Sequence, residues 1–274
     1  MEVVSYASFY DSEISYNHKC IKNIRTRLTN PQMHNAIEFI YLNKGSISYT
    51  VDEKSFKVES DSLIVTFPGK VHTITFNNLD IYDRFDLLID EGKVYNMIYE
   101  KLKKVPDVIS CKNSPRLYEL FKRIDFYCKC FEGEELKNLL NHLVDEVAYN
   151  VVLSLENAVE EENVNEVLSK VIEYIEDNFN SQLTLKKICN DLYVSASYLH
   201  NLFKEHLNMT PKKYIEYKRL TFAQSLLKEG RSATAVYEKC GFSDYSVFYR
   251  SYKKHFGYSP SEEKNINAVR EIIY

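Results

Sequence analysis

An α+β multidomain fold follows from three features of this 274-residue sequence. Residues 1 to about 110 break into short, alternating, β-branched and aromatic segments separated by turn residues, the mark of a sheet domain. After Ser114 the apolar period changes to that of helices. In the last third a helical unit occurs twice, offset by about 49 residues, and internal repetition of that kind is a strong architectural signal.

The front segments are "SISYTVD", "KSFKV", "SLIVTF", "HTITF" and "RFDLLI". Asn43-Lys44-Gly45 and Pro68-Gly69 punctuate them as turns. Closely spaced short strands fit a sandwich or barrel.

In "SPRLYELFKRIDFY" a serine followed by proline gives a helix start at Ser114. The next stretch, "EELKNLLNHLVDEVAYNVVLSL", sets Leu136, Leu139, Leu140, Leu143, Val147 and Val151 on one helical stripe. That stripe faces either a second copy of the chain or the strand domain of its own chain. "ENAVEEENVN", residues 156–165, is acidic and weakly apolar and reads as a linker.

Everything beyond Asn165 reads as helix. Val167, Val171, Ile172 and Ile175 share a stripe. Thr184 and Ser195 cap two short helices, Pro211 opens a longer one that Gly230 stops, and Ser232 starts another short pair broken at Cys240-Gly241. The boundaries are therefore 1–113 for the sheet domain, 114–155 for a helical dimerisation segment and 156–165 for the linker. A helical domain takes 166–262, and 263–274 is a tail.

Composition narrows the function classes. No apolar run approaches the roughly 18 residues of a membrane helix, and "MEVVSYASFY" lacks the basic start of a secretory signal. Six scattered cysteines read as reduced thiols of a cytoplasmic protein. The formal charge of −4 is unevenly spread. Residues 1–179 carry 20 Lys+Arg against 30 Asp+Glu, or −10, and residues 180–258 carry 13 against 6, or +7. A basic third behind an acidic front suits a polyanion partner for that third alone. No nucleophile elbow, P-loop, dinucleotide fingerprint or paired zinc ligands support catalysis, so the chain is read as a non-enzyme with no cofactor.

The repeated phrases are "SYLHNLFKEHLNMTP" and "SVFYRSYKKHFGYSP". They align Leu199 with Phe248, Phe203 with Tyr252, His206 with His255 and Pro211 with Pro260. Each unit, 184–207 and 232–256, reads as a capped helix, a turn of three or four residues and a second helix rich in aromatic and basic residues. In a helix-turn-helix the second helix enters the major groove. Phe248 and Tyr252 face inward, and Arg250 is free to clasp guanine with two hydrogen bonds. Lys253 and Lys254 sit later, where phosphate lies. The joining helix of about 18 residues spans about 27 Å at about 1.5 Å per residue, a rod comparable to the roughly 34 Å between successive major-groove faces.

These residues resemble the AraC family of bacterial transcription regulators over about 165–262, most closely in "GFSDYSVFYRSYKKHFGYSP". The front half resembles that family's cupin-like domain through "HNAIEFIYLNKGSISYTVD", "DSLIVTFPGKVH" and "YDRFDLLI". The resemblance implies an N-terminal cupin-like β-barrel with a helical dimerisation segment, and a C-terminal all-α domain with two helix-turn-helix units. It implies a homodimer on double-stranded DNA, a small-molecule effector such as a sugar or small organic acid, and contact with RNA polymerase, without a membrane. Positions matching the family's DNA-reading ones are Ser197, His200, Asn201 and Lys204 in the first unit, and Tyr245, Ser246, Tyr249, Arg250 and Lys253 in the second. Two positions depart from the family's pattern. Tyr237 replaces a small residue, and Asn208 replaces a glycine that asparagine mimics, since both tolerate positive φ.

In the front domain, His34, Glu38 and His72 follow spacings like those of metal-binding cupins, but Gln32 stands where the first histidine of that pattern belongs. The trio is therefore assigned with Arg84 and Tyr41 to an effector pocket and not to a metal. Arg84 either clamps a carboxylate or pairs with Asp83 or Asp86, and His18 and Tyr49 are further pocket candidates. The competing readings are a metal-dependent cupin enzyme with an appended DNA-binding domain, and an effector-independent regulator controlled by a protein partner.

Overall fold

Near-continuous burial along β2, β3, β6 and β8 marks a sheet covered on both faces, the middle of three layers. The computed structural model describes residues 1–11, 13–25, 29–112, 115–154, 159 and 163–265. Its strands are β1 (Glu2–Tyr10), β2 (Ile14–Lys22), β3 (Ile37–Lys44), β4 (Ser46–Val51), β5 (Lys54–Glu59), β6 (Ser62–Thr66), β7 (His72–Phe76), β8 (Ile81–Ile89), β9 (Val108–Ser110) and β10 (Asn163–Val164). They form a six-stranded sheet in the order β1-β2-β8-β3-β6-β9 and a four-stranded sheet in the order β10-β5-β4-β7. Every pairing is antiparallel.

Successive side chains of a strand point to opposite faces. On β3, Ile37, Phe39 and Tyr41 join one cluster with Phe85, Leu87 and Leu63. That face packs on α1 (Asn96–Leu102), α2 (Arg116–Cys130) and α3 (Gly133–Val152). The opposite residues, Ile40 and Leu42, pack with Ile64 and Tyr82 against Ile47, Tyr49, Phe56 and Ile74 of the smaller sheet. Each such buried side chain contributes about 1.5–3 kcal/mol relative to exposure. The large sheet is apolar on both faces, so it serves as a middle layer. The cupin-like domain is accordingly two stacked sheets under helices, and its described strands do not close into one hydrogen-bonded ring.

The α3 stripe belongs to this core. Leu136, Leu140, Leu143, Val147 and Val151 are buried against the sheet of their own chain. Of the two alternatives for that stripe, the structure therefore takes the intramolecular one.

Two predicted boundaries also move. The end of the predicted linker is strand β10, whose Asn163 and Val164 pair with Ser55 and Lys54 at the edge of the small sheet, and Val159 N donates to Val108 O. The rest of that linker and the Ser114 cap lie outside the described residues. The helical domain continues past residue 262: Glu263 is buried and accepts from the Tyr252 hydroxyl.

The back third comprises α4 (Glu166–Asn178), α5 (Leu185–Asp191), α6 (Ala196–Leu207), α7 (Pro211–Lys228), α8 (Ala233–Val236) and α9 (Tyr245–Phe256). Capping fixes the starts. Thr184, Ser195 and Thr210 accept from the backbone N–H three residues on, as does Asp244. Each satisfies an orphan donor of a first helical turn. The front domain and the back third share a core. Met33 and Val71 of the front domain sit in the same cluster as Leu168, Phe203 and Tyr214.

Candidate nucleic-acid interface

The two second helices, α6 and α9, are built alike. On α6, Leu199, Leu202, Phe203 and Leu207 are buried, and Ser197, His200, Asn201 and Lys204 are exposed. On α9, Phe248, Tyr252, His255 and Phe256 are buried, while Ser246, Arg250 and Lys253 are exposed and Tyr245 and Tyr249 half-buried. Positions three, four and seven apart share a helix face, so each helix turns one polar stripe outward over an apolar root. Both helices end in the left-handed conformation, Asn208 at φ 50° and Gly257 at φ 83°. The asparagine does the work of the glycine at the equivalent place in the repeat.

The two turns differ. Between α5 and α6 lie Leu192 to Ser195, with Tyr193 at φ 55°. The second unit needs a longer connection than the predicted three or four residues: α8 is one turn long and residues 237–244 intervene before α9. Gly241 allows it. At φ 81° a Cβ here would lie 2.7 Å from Phe179 O and 2.9 Å from Arg219 Nε. Tyr237, the departure from the family's small residue, turns outward, with its ring edge-on to Tyr245 and its hydroxyl donating to Glu238.

Helix α7 joins the units and braces both. Arg219 Nε donates to Phe179 O at 2.7 Å and its Nη2 to Ser181 O at 2.9 Å. Ser251 of α9 donates to Glu216 at 2.6 Å. The His255 ring packs 4.6 Å from that of Tyr217. Burial pushes this imidazole down to about 3, so it is neutral and belongs to the core, not to the basic surface that the sequence suggested. A cleft of about 710 Å³ lies between the units, lined by His200, Lys212, Arg219, Ser243, Val247 and Ser251 among others. Val247, 44% exposed on the first turn of α9, escaped the sequence reading; an exposed branched apolar residue at the start of a helix that otherwise turns polar residues outward is the signal that marks it. Such a side chain suits the thymine methyl group.

The predicted effector residues divide. Glu38, on the inner face of β3, is fully buried, and Glu38 Oε2 lies 3.4 Å from His34 Nε2 and 3.3 Å from His72 Nε2. Burial opposes its charge, and the imidazoles of His72 and His34 more than reverse that, holding the carboxyl well below its ordinary range. Arg84 shares this inner face of the large sheet and pairs with buried Asp86 at 3.1 Å. Tyr49 lies nearby, its hydroxyl 2.6 Å from Thr66 Oγ1. Tyr41 points the other way. It is three residues from Glu38, so the pleat turns it to the helix side, where its hydroxyl donates to Asp61 and its ring meets Phe121 and Tyr118. His18 also lies on that side, between Asp125 and Asp83. Tyr41 and His18 thus lie on the other side of the large sheet from His34, Glu38 and His72.

Comparison with known proteins falls on the same region. A sequence family described as a helix-turn-helix domain matches residues 188–265. The lactose operon transcription activator of Staphylococcus xylosus is 26% identical over 149 residues, 52% of this chain and 53% of that protein. The transcriptional activator RhaS of Escherichia fergusonii is 30% identical over 132 residues, 47% of this chain and 48% of that protein. The chain thus spans about half the length of these curated relatives. A crystal structure of ToxT from Vibrio cholerae superposes with a TM-score of 0.42 at 14% identity, covering 93% of this chain and 98% of that one.

Proposed function

We propose that the chain, whose residues 188–265 match a helix-turn-helix domain, is a sequence-specific DNA-binding transcription regulator of the AraC type reading two successive major-groove segments. The observation that carries this is the pair of matched polar stripes on α6 and α9, each over a buried apolar root. Ser197, His200 and Asn201 in one unit and Ser246, Tyr249 and Arg250 in the other meet base edges. Lys204 and Lys253, one turn further on, meet phosphate. The relatives named above are transcription regulators, and no described helix is long and apolar enough to cross a membrane.

The sheet domain is the sensor in this reading. Its inner face carries buried His34, Glu38, His72, Asp86 and the shielded Arg84, and buried polar groups of this density mark a ligand site better than a core. The regulator acts in the cytoplasm as a homodimer and contacts RNA polymerase. With the α3 stripe internal, the dimer surface is the outer face of α2 and α3, where Phe126, Tyr149 and Leu153 are exposed.

The test is selection of duplexes from a random pool, followed by Arg250→Ala. The expected result is an enriched operator with two half-sites and, in the variant, relaxed choice at one base pair, an effect of about 1–3 kcal/mol. No enriched sequence for the intact protein overturns the proposal.

A further inference from the structure

Arg219 is a half-buried cation held by neutral groups. Its Nε and Nη2 donate to two backbone carbonyls, Phe179 O and Ser181 O. Among the described residues no carboxylate lies in ion-pair range of it. Its planar fork carries further N–H groups beyond those two. Burial pushes its pKa below the ordinary value, yet a guanidinium stays ionised. A charge short of both water and a counter-charge is costly until an anion answers it.

This side chain lines the cleft of about 710 Å³ between the two units. Buried Leu183, Ile215 and Phe242 and exposed Val247 form its apolar walls. Lys212 adds a second cation. Glu216, also on the lining, is engaged by Ser251 at 2.6 Å and by Lys213 at 3.5 Å. Small-molecule sites are clefts of about 300–1,000 Å³ with mostly apolar walls and a few convergent polar groups. The cleft matches that description in size and in lining.

Its position separates it from the sheet domain. Tyr214 and Lys218 of α7 bond to that domain. Lys212 and Glu216 precede them by two residues, about 200° around a helix of about 3.6 residues per turn. The cleft therefore opens on the far side of α7, between His200 of α6 and Val247 of α9.

We propose that this cleft binds a small organic acid with an apolar body, its carboxylate held by Arg219 and its body seated among Ile215, Phe242 and Val247. A duplex also brings anions to this face, but its phosphate backbone offers no apolar body to such walls. The site goes beyond the proposed function, and only its consequence rests on that reading. An anion between α6 and α9 cancels positive charge where phosphates approach. Acid and duplex then bind antagonistically, each weakening the other by the same factor.

Calorimetric titration of the full-length protein with phenylbutyrate tests the site, with phenylbutanol as the uncharged counterpart. One acid per chain is expected, with phenylbutanol weaker by about 10-fold or more. Arg219→Gln should weaken the acid about 10-fold or more. Should that variant fail to fold, Val247→Glu, on the exposed first turn of α9, sets a carboxylate at the cleft and should weaken the acid likewise. No binding, equal binding of phenylbutanol, or binding indifferent to these substitutions overturns the site. Duplex affinity is measured separately, with and without saturating phenylbutyrate, and a fall of about 5-fold or more is expected. If Arg219→Gln instead lowers duplex affinity and its salt dependence while phenylbutyrate does not bind, the cleft belongs to phosphate and the proposal is overturned. A protein that binds the acid through Arg219 but no duplex keeps this site and removes the regulator reading alone.

Discussion

The Tyr214 hydroxyl donates to Asp52 Oδ1 at 3.2 Å, joining residues 162 apart in the chain and tying α7, the rod between the two helix-turn-helix units, to the turn after β4. Asp52 is buried, sits at φ 47°, accepts from Val71 N at 3.2 Å and pairs with Lys70 at 2.6 Å. Lys218, one turn along α7, donates to Gly69 O at 2.9 Å and to Glu176 at 2.6 Å. Lys228 reaches Asp90 at 2.9 Å. The sheet domain is thus tied to α7 at three places.

Removing one end of the leading contact should cost less than removing the other. Tyr214→Phe deletes a single hydrogen bond and should lower stability by about 1 kcal/mol. Asp52→Ala leaves a buried hydroxyl, a buried N–H and an ammonium without their acceptor, and should cost about 2–3 kcal/mol. Urea unfolding of both variants checks the order; equal or reversed costs would show that Asp52 is not the hub.

Two glycines separate conformational strain from steric contact. Gly257 is at φ 83° with nothing within 4 Å of an added Cβ. Gly257→Ala should therefore cost only the left-handed penalty, about 1 kcal/mol, and Gly257→Asn less, since Asn208 holds the equivalent position in the first unit. Gly241→Ala carries the same penalty and also drives a methyl into Phe179 O and Arg219, breaking the brace between the units. A cost of about 2 kcal/mol or more is expected, with loss of operator affinity that Gly257→Ala does not share. Equal behaviour of the two alanine variants would refute the brace.

Much of this was legible beforehand, for definable reasons. The strands from Ser46 to Ile89 and the caps at Thr184 and Ser195 announce themselves through period and local hydrogen bonding, which the residue types alone determine. The polar stripes on α6 and α9 follow from helical spacing. What a sequence withholds is the direction of an apolar or polar face. Leu143 looks the same whether it meets a twin or its own sheet. Tyr41 and Glu38 are separated by three residues, an odd number of steps of the pleat, which puts them on opposite sides of the middle layer. His255 stands among basic neighbours in the sequence, and only the structure shows that it is buried against Tyr217 rather than on the surface with them.

A pH dependence is built into the join of α2 to the large sheet. His18 Nδ1 lies 2.6 Å from Asp125 Oδ2 and its Nε2 3.0 Å from Asp83 Oδ1. Asp125 also accepts from the Tyr16 hydroxyl and Asp83 from Asn43. Burial pushes the imidazole down, and the two carboxylates more than reverse this, raising it above its ordinary 6.5. Burial likewise raises both aspartates, and their bonds to His18 overturn that and hold them below their ordinary 3.8. The raised histidine contributes stability fully present below about pH 6.5 and lost as pH climbs through its folded value. The lowered aspartates contribute stability present above about pH 3.8 and lost as pH falls through theirs. The network is therefore strongest between about pH 4 and 6.5. Melting temperature should decline from pH 6 to 8 in the intact protein, and His18→Gln should flatten that decline. An unchanged slope in the variant would assign the decline elsewhere.

The charge asymmetry sets the last expectation. Residues 180–258 carry a formal +7, while the preceding 179 residues carry −10, so the attraction for a duplex resides in the back third, to which α9 contributes Arg250, Lys253 and Lys254 and α6 contributes Lys204. Each phosphate neutralised releases condensed counterion, and log affinity falls against log salt by about 0.9 per contact. Lys204, Lys253 and Lys254 are exposed at the late ends of the two helices, where the backbone of a duplex runs past a groove-entering helix. Binding measured from low to physiological salt should fall steeply. Lys253→Gln should reduce the slope by about 1 and weaken all sequences alike, leaving the order of preference intact. Arg250→Ala should do the opposite, changing preference at one base pair. If Lys253→Gln alters sequence preference instead, the stripe on α9 is rotated, and Lys253 belongs with the base-reading side chains.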